Sequence, residues 1–241
     1  MLHLISYASN YFLNRKQSFQ RECQQFGQFD TIRIYEEADL DSAFTLKHKD
    51  VLRQKKGGGY WIWKHQIVKQ ALSEIKSGDI VFYVDVGCSF NRNSSSLQTF
   101  SFYLNLIQKH SFLRFALNLL EEEYTNSKTL NFFSKKYNIP IEKLATTPQL
   151  IATIIGIKKD DTSEHFFSHY TSCLQEDDLM ITDEYNNIDK SPSFKDHRHD
   201  QSLFSVLYKS LGHNIAIQDH TWANDWSSLH HIPILATRRH F

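Results

Sequence analysis

At 241 residues, with 27 Lys plus Arg against 27 Asp plus Glu, the chain has no net charge at pH 7. That balance excludes an overall basic field for nucleic acid and the acidic excess of a disordered chain, while leaving room for local basic patches. Hydrophobic residues at 41%, aromatic residues at 14% and only four prolines describe one globular domain, long enough to bury a real core.

Cys23, Cys88 and Cys173 are odd in number and lack CxxC spacing, so reduced thiols in a cytosol are expected rather than a disulfide framework or zinc knuckle. The opening MLHLISYASNYFLNRK has no basic leader, long apolar region or small-residue cleavage site. No later window offers the ~20 apolar residues of a membrane span. A cytoplasmic protein is expected, with any membrane contact peripheral and at the inner face.

In chain order, LHLISYA reads as a short buried strand and SNYFLNRKQSFQRECQQFG as a helix ended by Gly27. FDTIRIYE alternates like a strand, and DLDSAFTLKHKDVLRQKK resumes helical spacing with Asp39 or Asp41 as N-cap. Gly57, Gly58 and Gly59 follow. A run of glycines predicts a sharp bend or a close approach of the backbone to something else. IWKHQIVKQALSEIKSG is the next helix, and DIVFYVDVG is a buried strand that stops at Asp85. This order of elements predicts an α/β sheet with parallel members.

In the second half, SSSLQTFSFYLNLIQKH reads as a helix with serine caps and FLRFALNL as a strand. EEEYTNSKTLNFFSKKYNI is acidic and then helical, PQLIATIIGIKK is one β-branched strand, and SEHFFSHYTSCLQE is a helix. DLMITDEYN sets Asp183 and Glu184 after a further expected strand. FKDHRHDQSLFSVLYKSLG puts a charged loop before a helix closed by Gly212, and HNIAIQD is a last strand. The tail HTWANDWSSLHHIPILATRRHF, aromatic and His-rich, is expected to be irregular. With no repeat and no linker, residues 1–241 are expected to form a single domain.

Four groups of residues could carry chemistry. Asp85 ends an apolar strand, where ligands sit in open α/β sheets, although Asp before a turn is also an ordinary cap. In HRHDQS, Asp200 or Ser202 could cap the following helix, or the helix start could receive an anion. Lys64, Arg198, Arg238 and Arg239 could cradle phosphate, against the plainer reading of surface ion pairs worth ~0–1 kcal/mol each. Asp183 and Glu184 could serve as general base or metal ligand, or be exposed turn residues. The thirteen histidines do not form HExxH, the glycines lack the GK[ST] end of a phosphate loop, and there is no GxGxxG.

GGGYWIWKHQIV, GDIVFYVDVGC, PQLIATIIGIKK, HRHDQSLFSVL and PILATRR, in this order, resemble a group of small bacterial and viral glycosyltransferases with a GT-A-like fold. That group is associated with capsule, O-antigen and other surface-glycan machinery. The resemblance spans residues 57–239, with GYWIWK and HRHDQS its most specific blocks, and the N-terminal third matches in its strand and helix pattern only. It implies a Rossmann-like α/β fold in one domain, a mixed, mainly parallel sheet flanked by helices. Residues 1–90 would mainly bind a nucleotide sugar, a UDP-sugar first among them, and residues 91–241 would mainly supply acceptor and catalytic elements.

The donor-binding set the resemblance implies is Tyr7, Gly58, Gly59, Tyr60, Trp61, Lys64, Asp85, Gly87, Arg198, His199 and Arg238. The catalytic set is Asp183, Glu184, Asp200 and Gln201. Asp200 would bond sugar hydroxyls or act as general base on the acceptor hydroxyl. Asp85 takes the place of the first aspartate of the metal-binding DxD motif, which implies Mn²⁺ or Mg²⁺. Here the tripeptide is DVG, so Gly87 supplies no second carboxylate and metal dependence is open. Without an ion, Lys64 and the arginines are the substitutes. His65 stands where the group has proline, with little consequence expected. Trp63 is expected to anchor its helix, and Trp61 with Tyr60 either to line a sugar or base pocket or to pack. The implied activity is sugar transfer from a nucleoside diphosphate to a glycan hydroxyl. The alternatives are a carbohydrate- or nucleotide-sugar-binding domain without chemistry, and a nucleotide-sugar hydrolase or pyrophosphorylase.

Overall fold

The computed structural model describes residues 1–9, 12–188 and 191–239. Asn10 and Tyr11 of the expected first helix, and His240 and Phe241 of the tail, lie outside the described residues. The first half runs β1 (Leu2–Tyr7), α1 (Leu13–Phe26), β2 (Thr31–Tyr35), α2 (Ser42–Lys47), α3 (Lys49–Leu52), the single turn α4 (Gly57–Tyr60), α5 (Trp63–Glu74) and β3 (Ile80–Val84). Then come β4 (Ser89–Phe90), α6 (Ser94–His110), β5 (Phe112–Leu113), β6 (Phe115–Leu120), α7 (Glu121–Tyr124), α8 (Ser127–Tyr137) and α9 (Glu142–Ala145). The chain closes with β7 (Pro148–Leu150), β8 (Ile154–Lys158), α10 (Asp161–Glu176), α11 (Asp200–Ser210), β9 (Ile217–Gln218) and β10 (Ile234–Leu235).

The central sheet has the order β2-β1-β3-β8-β5, parallel from β2 through β3 and antiparallel from β3 through β5. Alternation along the strands gives each face its own core, because successive side chains point to opposite sides. Ile5, Tyr7, Val81 and Tyr83 pack with Ile67 and Val68 of α5, Phe166 of α10 and Phe204 of α11. Leu4, Phe82 and Val84 pack on the other face with Phe19 and Cys23 of α1 and Phe100 and Tyr103 of α6. Both faces of β3 are buried, so its IVFYV sequence is apolar without interruption. The three cysteines are free and buried.

Several expected elements differ. PQLIATIIGIKK is two strands in two sheets: β7 pairs with β6, and β8 pairs with β3. FLRFALNL is likewise divided, β5 joining the central sheet and β6 a three-stranded sheet β7-β6-β9. The segment before Asp183 is a 3-10 helix, Asp178–Ile181, not a strand. Asp41 caps α2 through the Phe44 amide, but the helical run breaks at His48. α6 is capped by Asn93, with Ser96 completing the reciprocal pair. Neither Asp200 nor Ser202 caps α11; that position is His199. The last expected strand shrinks to Ile217–Gln218, and the tail contains the short strand β10 on β4.

No described helix is long and apolar enough to cross a membrane. The fold brings the C-terminal ends of β1 and β3, the break between β7 and β8, and the start of α11 to one edge of the sheet.

Candidate active site

The glycine run forms a turn of unusual hand. Gly57, Gly58, Gly59, Tyr60 and Trp61 all have positive φ, at +59°, +59°, +94°, +52° and +57°. The backbone therefore winds left-handed for one turn, with the Tyr60 amide bonded to the Lys56 carbonyl at 2.7 Å. A side chain in that conformation costs ~1–2 kcal/mol, which glycine avoids and Tyr60 and Trp61 do not. Space adds a second requirement. A Cβ on Gly57 would lie 2.4 Å from the Trp61 ring, and one on Gly59 would lie 2.7 Å from Leu52 Cα. Trp63 locks the turn from below, donating from Nε1 to the Gly57 carbonyl at 3.0 Å and stacking on Tyr7 at 3.9 Å. One face of Tyr7 is thus taken by Trp63, while Gly58 packs near Ser9.

The left-handed turn starts α5 so that Lys64 points under the sheet edge. Its ammonium is buried, 2.6 Å from Asp200 Oδ2, 3.4 Å from Asp85 Oδ1 and 3.0 Å from the Ala152 carbonyl. The Tyr83 hydroxyl also donates to Asp85 Oδ1. Burial would strip the proton from Lys64, but the two carboxylates outweigh it and raise its pKa. Asp200 feels burial most strongly, and even with Lys64 beside it its pKa rises to about 6. Gln201 is held on both ends of its amide, donating to Gln149 at 2.7 Å and accepting from the Ala152 amide at 3.3 Å.

Gly87 does not face open space. The tail lies over it: the Arg239 amide and the Thr237 hydroxyl both donate to its carbonyl, at 2.8 and 2.9 Å. A Cβ there would sit 3.2 Å from the Arg239 carbonyl oxygen. The tail brings Arg238, exposed and at φ +54°, toward Arg198. Burial first and then the like charge of Arg238 lower the Arg198 pKa, and the guanidinium rests 4.0 Å over the Tyr124 ring. Among the described residues no carboxylate lies within ion-pair distance of either guanidinium.

His199, Asp183 and Glu184 belong to a different surface. His199 turns away from Lys64: Nδ1 bonds the Ile181 carbonyl at 2.8 Å, and its ring stacks on Trp61 at 5.5 Å and contacts Tyr60 at 4.9 Å. Asp183 is paired with Lys56 at 2.9 Å and lies 3.7 Å from His199 Nε2. Its partial burial raises its pKa, and Lys56 and His199 more than reverse this. Glu184 is exposed. Neither carboxylate joins the Lys64 cluster.

Two buried residues outside the expected set support the cluster. Glu121, fully buried, accepts from Lys209 at 2.6 Å, from Ser205, and from Gln149 at 3.3 Å. A hydrogen-bonded path therefore runs from Glu121 through Gln149 and Gln201 to the strand break that bonds Lys64. Glu121 lies within a run of three glutamates, where nothing in the sequence distinguishes the buried one. His65 is also structural: buried, bonded to the Ile62 carbonyl at 2.7 Å and stacked on Tyr170, it does more than fill a proline position.

The residues at Asp85 do not form a metal cage. Asp85 Oδ1 is taken by Tyr83 and Lys64, Gly87 adds no ligand, and no group of three His, Cys, Asp or Glu suited to an ion occurs among the described residues. A cation of the chain itself, Lys64, sits between the carboxylates instead.

No family model and no curated protein matches the chain. Among solved structures, a glycosyltransferase involved in glycosylation of the major capsid of PBCV-1 aligns over 97% of this chain and 92% of its own, with a TM-score of 0.50 at 10% identity. The fold is GT-A-like. Mouse xyloside xylosyltransferase 1 in its apo form aligns over 98% and 97% of the two chains, with a TM-score of 0.48 at 13% identity. The galactosyltransferase LgtC, in complex with donor and acceptor sugar analogues, aligns over 86% and 70%, with a TM-score of 0.40 at 12% identity.

Proposed function

We propose that the protein is a glycosyltransferase that moves a sugar from a nucleoside diphosphate, a UDP-sugar first among the candidates, to a hydroxyl of a glycan in surface-polysaccharide synthesis. The observation that carries this reading is the ion cluster at the end of β3. Lys64 joins Asp85 and Asp200 at the strand edge, beside two arginines of like charge with no carboxylate at ion-pair distance among the described residues. Two guanidinium groups brought near each other without a direct ion pair are suited to a diphosphate, which each can grip in a fork.

In this reading residues 1–90 supply Lys64, Asp85 and the glycine turn, and the second half supplies Arg198, Arg238, Asp200 and Gln201. Arg198 and Arg238 hold the diphosphate and stabilise the charge that grows on it as its bond to the anomeric carbon breaks. Lys64 keeps Asp200 ionised near neutral pH, so that its carboxylate can accept a hydrogen bond from a hydroxyl of the reacting sugars. Gln201, fixed by Gln149 and Ala152, sets the backbone that carries Asp200. No step is assigned to a metal ion.

Thermal stability measured against a panel of nucleoside diphosphates and nucleotide sugars, with Mn²⁺, Mg²⁺ or chelator, tests this. A ligand at 100 times its dissociation constant stabilises by ~2.7 kcal/mol. The expected result is a shift with one donor that survives chelation and falls away in the Arg198→Ala/Arg238→Ala double variant. No shift with any donor, in protein shown to be folded, would sink the reading. A shift without turnover toward any acceptor would point to the binding domain without chemistry.

A further inference from the structure

One buried cation has no part in the chemistry described so far. Arg114 is 1% exposed and lies between β5 and β6, where the chain passes from the central sheet to the three-stranded sheet. Its guanidinium rests 5.6 Å over the Phe204 ring and 5.7 Å over the Tyr208 ring, and its Nε has no hydrogen-bond partner. Burial lowers its pKa to about 10, against the opposing pull of Tyr208, Asp200 and Glu121, so the group is still charged at neutral pH. A buried charge with an unsatisfied N–H costs stability, and an apolar side chain of the same reach would avoid that cost.

The one bond printed by its geometry explains where that charge acts. Arg114 Nη2 donates to the Ile151 carbonyl at 3.1 Å, in the break between β7 and β8. That carbonyl and the Ala152 N–H belong to the same planar peptide unit, so fixing one end orients the other. The Ala152 N–H donates to Gln201 Oε1 at 3.3 Å, which turns the Gln201 amide so that its nitrogen meets Gln149. The next carbonyl, that of Ala152, accepts from Lys64 at 3.0 Å, and Lys64 holds Asp200. Two buried cations thus grip consecutive carbonyls of one break, Arg114 from behind and Lys64 from the site. Phe204, under the guanidinium, lies one helical turn after Asp200 on α11.

We propose that Arg114 is a positioning residue of the Lys64 site: it fixes the Ile151–Ala152 peptide, and through that peptide holds Gln201, Lys64 and Asp200 in one arrangement. Its place in a reaction rests on the transferase reading, whereas the dependence of the peptide on Arg114 stands apart from it. Because the diphosphate is assigned to Arg198 and Arg238, loss of Arg114 affects turnover and leaves donor binding as it was.

The test compares full-length wild-type protein with Arg114→Met, which keeps the packing and removes the donor, and Arg114→Lys, which keeps a cationic donor. Hydrogen exchange of the Ala152 amide, followed by NMR, reads the peptide without any substrate. Arg114→Met is expected to speed that exchange by about two- to tenfold, the span of one hydrogen bond's net worth, and Arg114→Lys to restore most of the protection. Release of UDP from UDP-glucose, UDP-galactose or UDP-xylose reads the chemistry. For a donor that is turned over, kcat is expected to fall about ten- to hundredfold in Arg114→Met, with KM unchanged and kcat largely recovered in Arg114→Lys. Should Arg114→Met not fold, Arg114→Gln, too short to place its N–H at the carbonyl, is expected to show the same split. Unchanged Ala152 exchange overturns the proposal, as does unchanged kcat, or a loss of stability with kcat and KM both intact. Release from none of the three donors by wild-type protein counts against the transferase reading, and Ala152 exchange then decides on Arg114 alone.

Discussion

The Lys64 cluster and the Asp183–Glu184 surface are built from neighbouring residues and have opposite characters. Asp200 turns inward to a buried lysine, and His199, one residue earlier, turns outward to a half-exposed aspartate. Inside, the charges are buried and mutually compensated, so they are part of the folded structure. Outside, Asp50 and Glu184 are exposed, with Asp50 in a solvent-facing pair with Arg53 at 3.6 Å. The difference is one of burial rather than of residue type. An ion pair out of water is costly to break from one side, and an exposed carboxylate is nearly free to change.

The largest effect expected from that contrast is at Lys64. Lys64→Met leaves Asp85 and Asp200 without their cation and is expected to lower stability by about 3–5 kcal/mol, read from urea denaturation. A loss below about 1 kcal/mol would mean the inner charges are as loosely coupled as the outer ones.

The wall between the two regions is next. Gly59→Ala combines a positive φ with a Cβ 2.7 Å from Leu52 Cα, whereas Gly78 has φ +86° and nothing within 4 Å. Gly59→Ala should cost about 2–4 kcal/mol, the backbone penalty plus overpacking, and Gly78→Ala about 1–2 kcal/mol. Equal losses in a melting experiment would show that neighbouring atoms do not define this turn.

The pH response sharpens the contrast further. Burial lowers the pKa of His65 to about 3, and burial with the charge of His199 does the same for His197. The unfolded chain then binds the extra protons, so this stability is complete above pH 6.5 and is lost as pH falls toward 3. His65→Gln should flatten the acid side of the stability–pH curve, even if the variant is weaker at pH 7. Asp200 must be ionised to bind a hydroxyl, so transfer activity should rise as pH increases through about 6. A flat profile from pH 5 to 7 would remove that role.

The smallest effect belongs to the Asp183–Glu184 surface. Glu184→Ala should change stability by no more than about 0.5 kcal/mol. A larger loss would show the outer carboxylates to be structural as well.

Much of the frame was legible in local pattern. The strands Leu2–Tyr7, Thr31–Tyr35 and Ile80–Val84 and the helices between them follow from hydrophobic spacing, and Gly27 ends α1 at φ +66° as its position suggests. Errors gathered where a continuous apolar run changes sheet. PQLIATIIGIKK carries no breaker at Ile151–Thr153, yet the chain turns there, and the turn provides the carbonyl for Lys64. Within the HRHDQ segment, residue types announced chemistry but not direction. His197 bonds the Met180 carbonyl, His199 faces Asp183 and Asp200 faces Lys64, a division no spacing rule contains.

By itself the sequence determined the α/β order of elements, the need for a special backbone at Gly57–Gly59, and the set of charged residues available for work. Those follow from period, sterics and charge, which act over a few residues. The tertiary structure alone decided which charges pair. It buried Lys64 between carboxylates distant in the chain, laid the tail over Gly87 so that Arg238 approaches Arg198, and left Asp183 and Glu184 on another surface. The reason is that burial and long-range contact set the cost of a charge, and neither is a property of the residues that flank it.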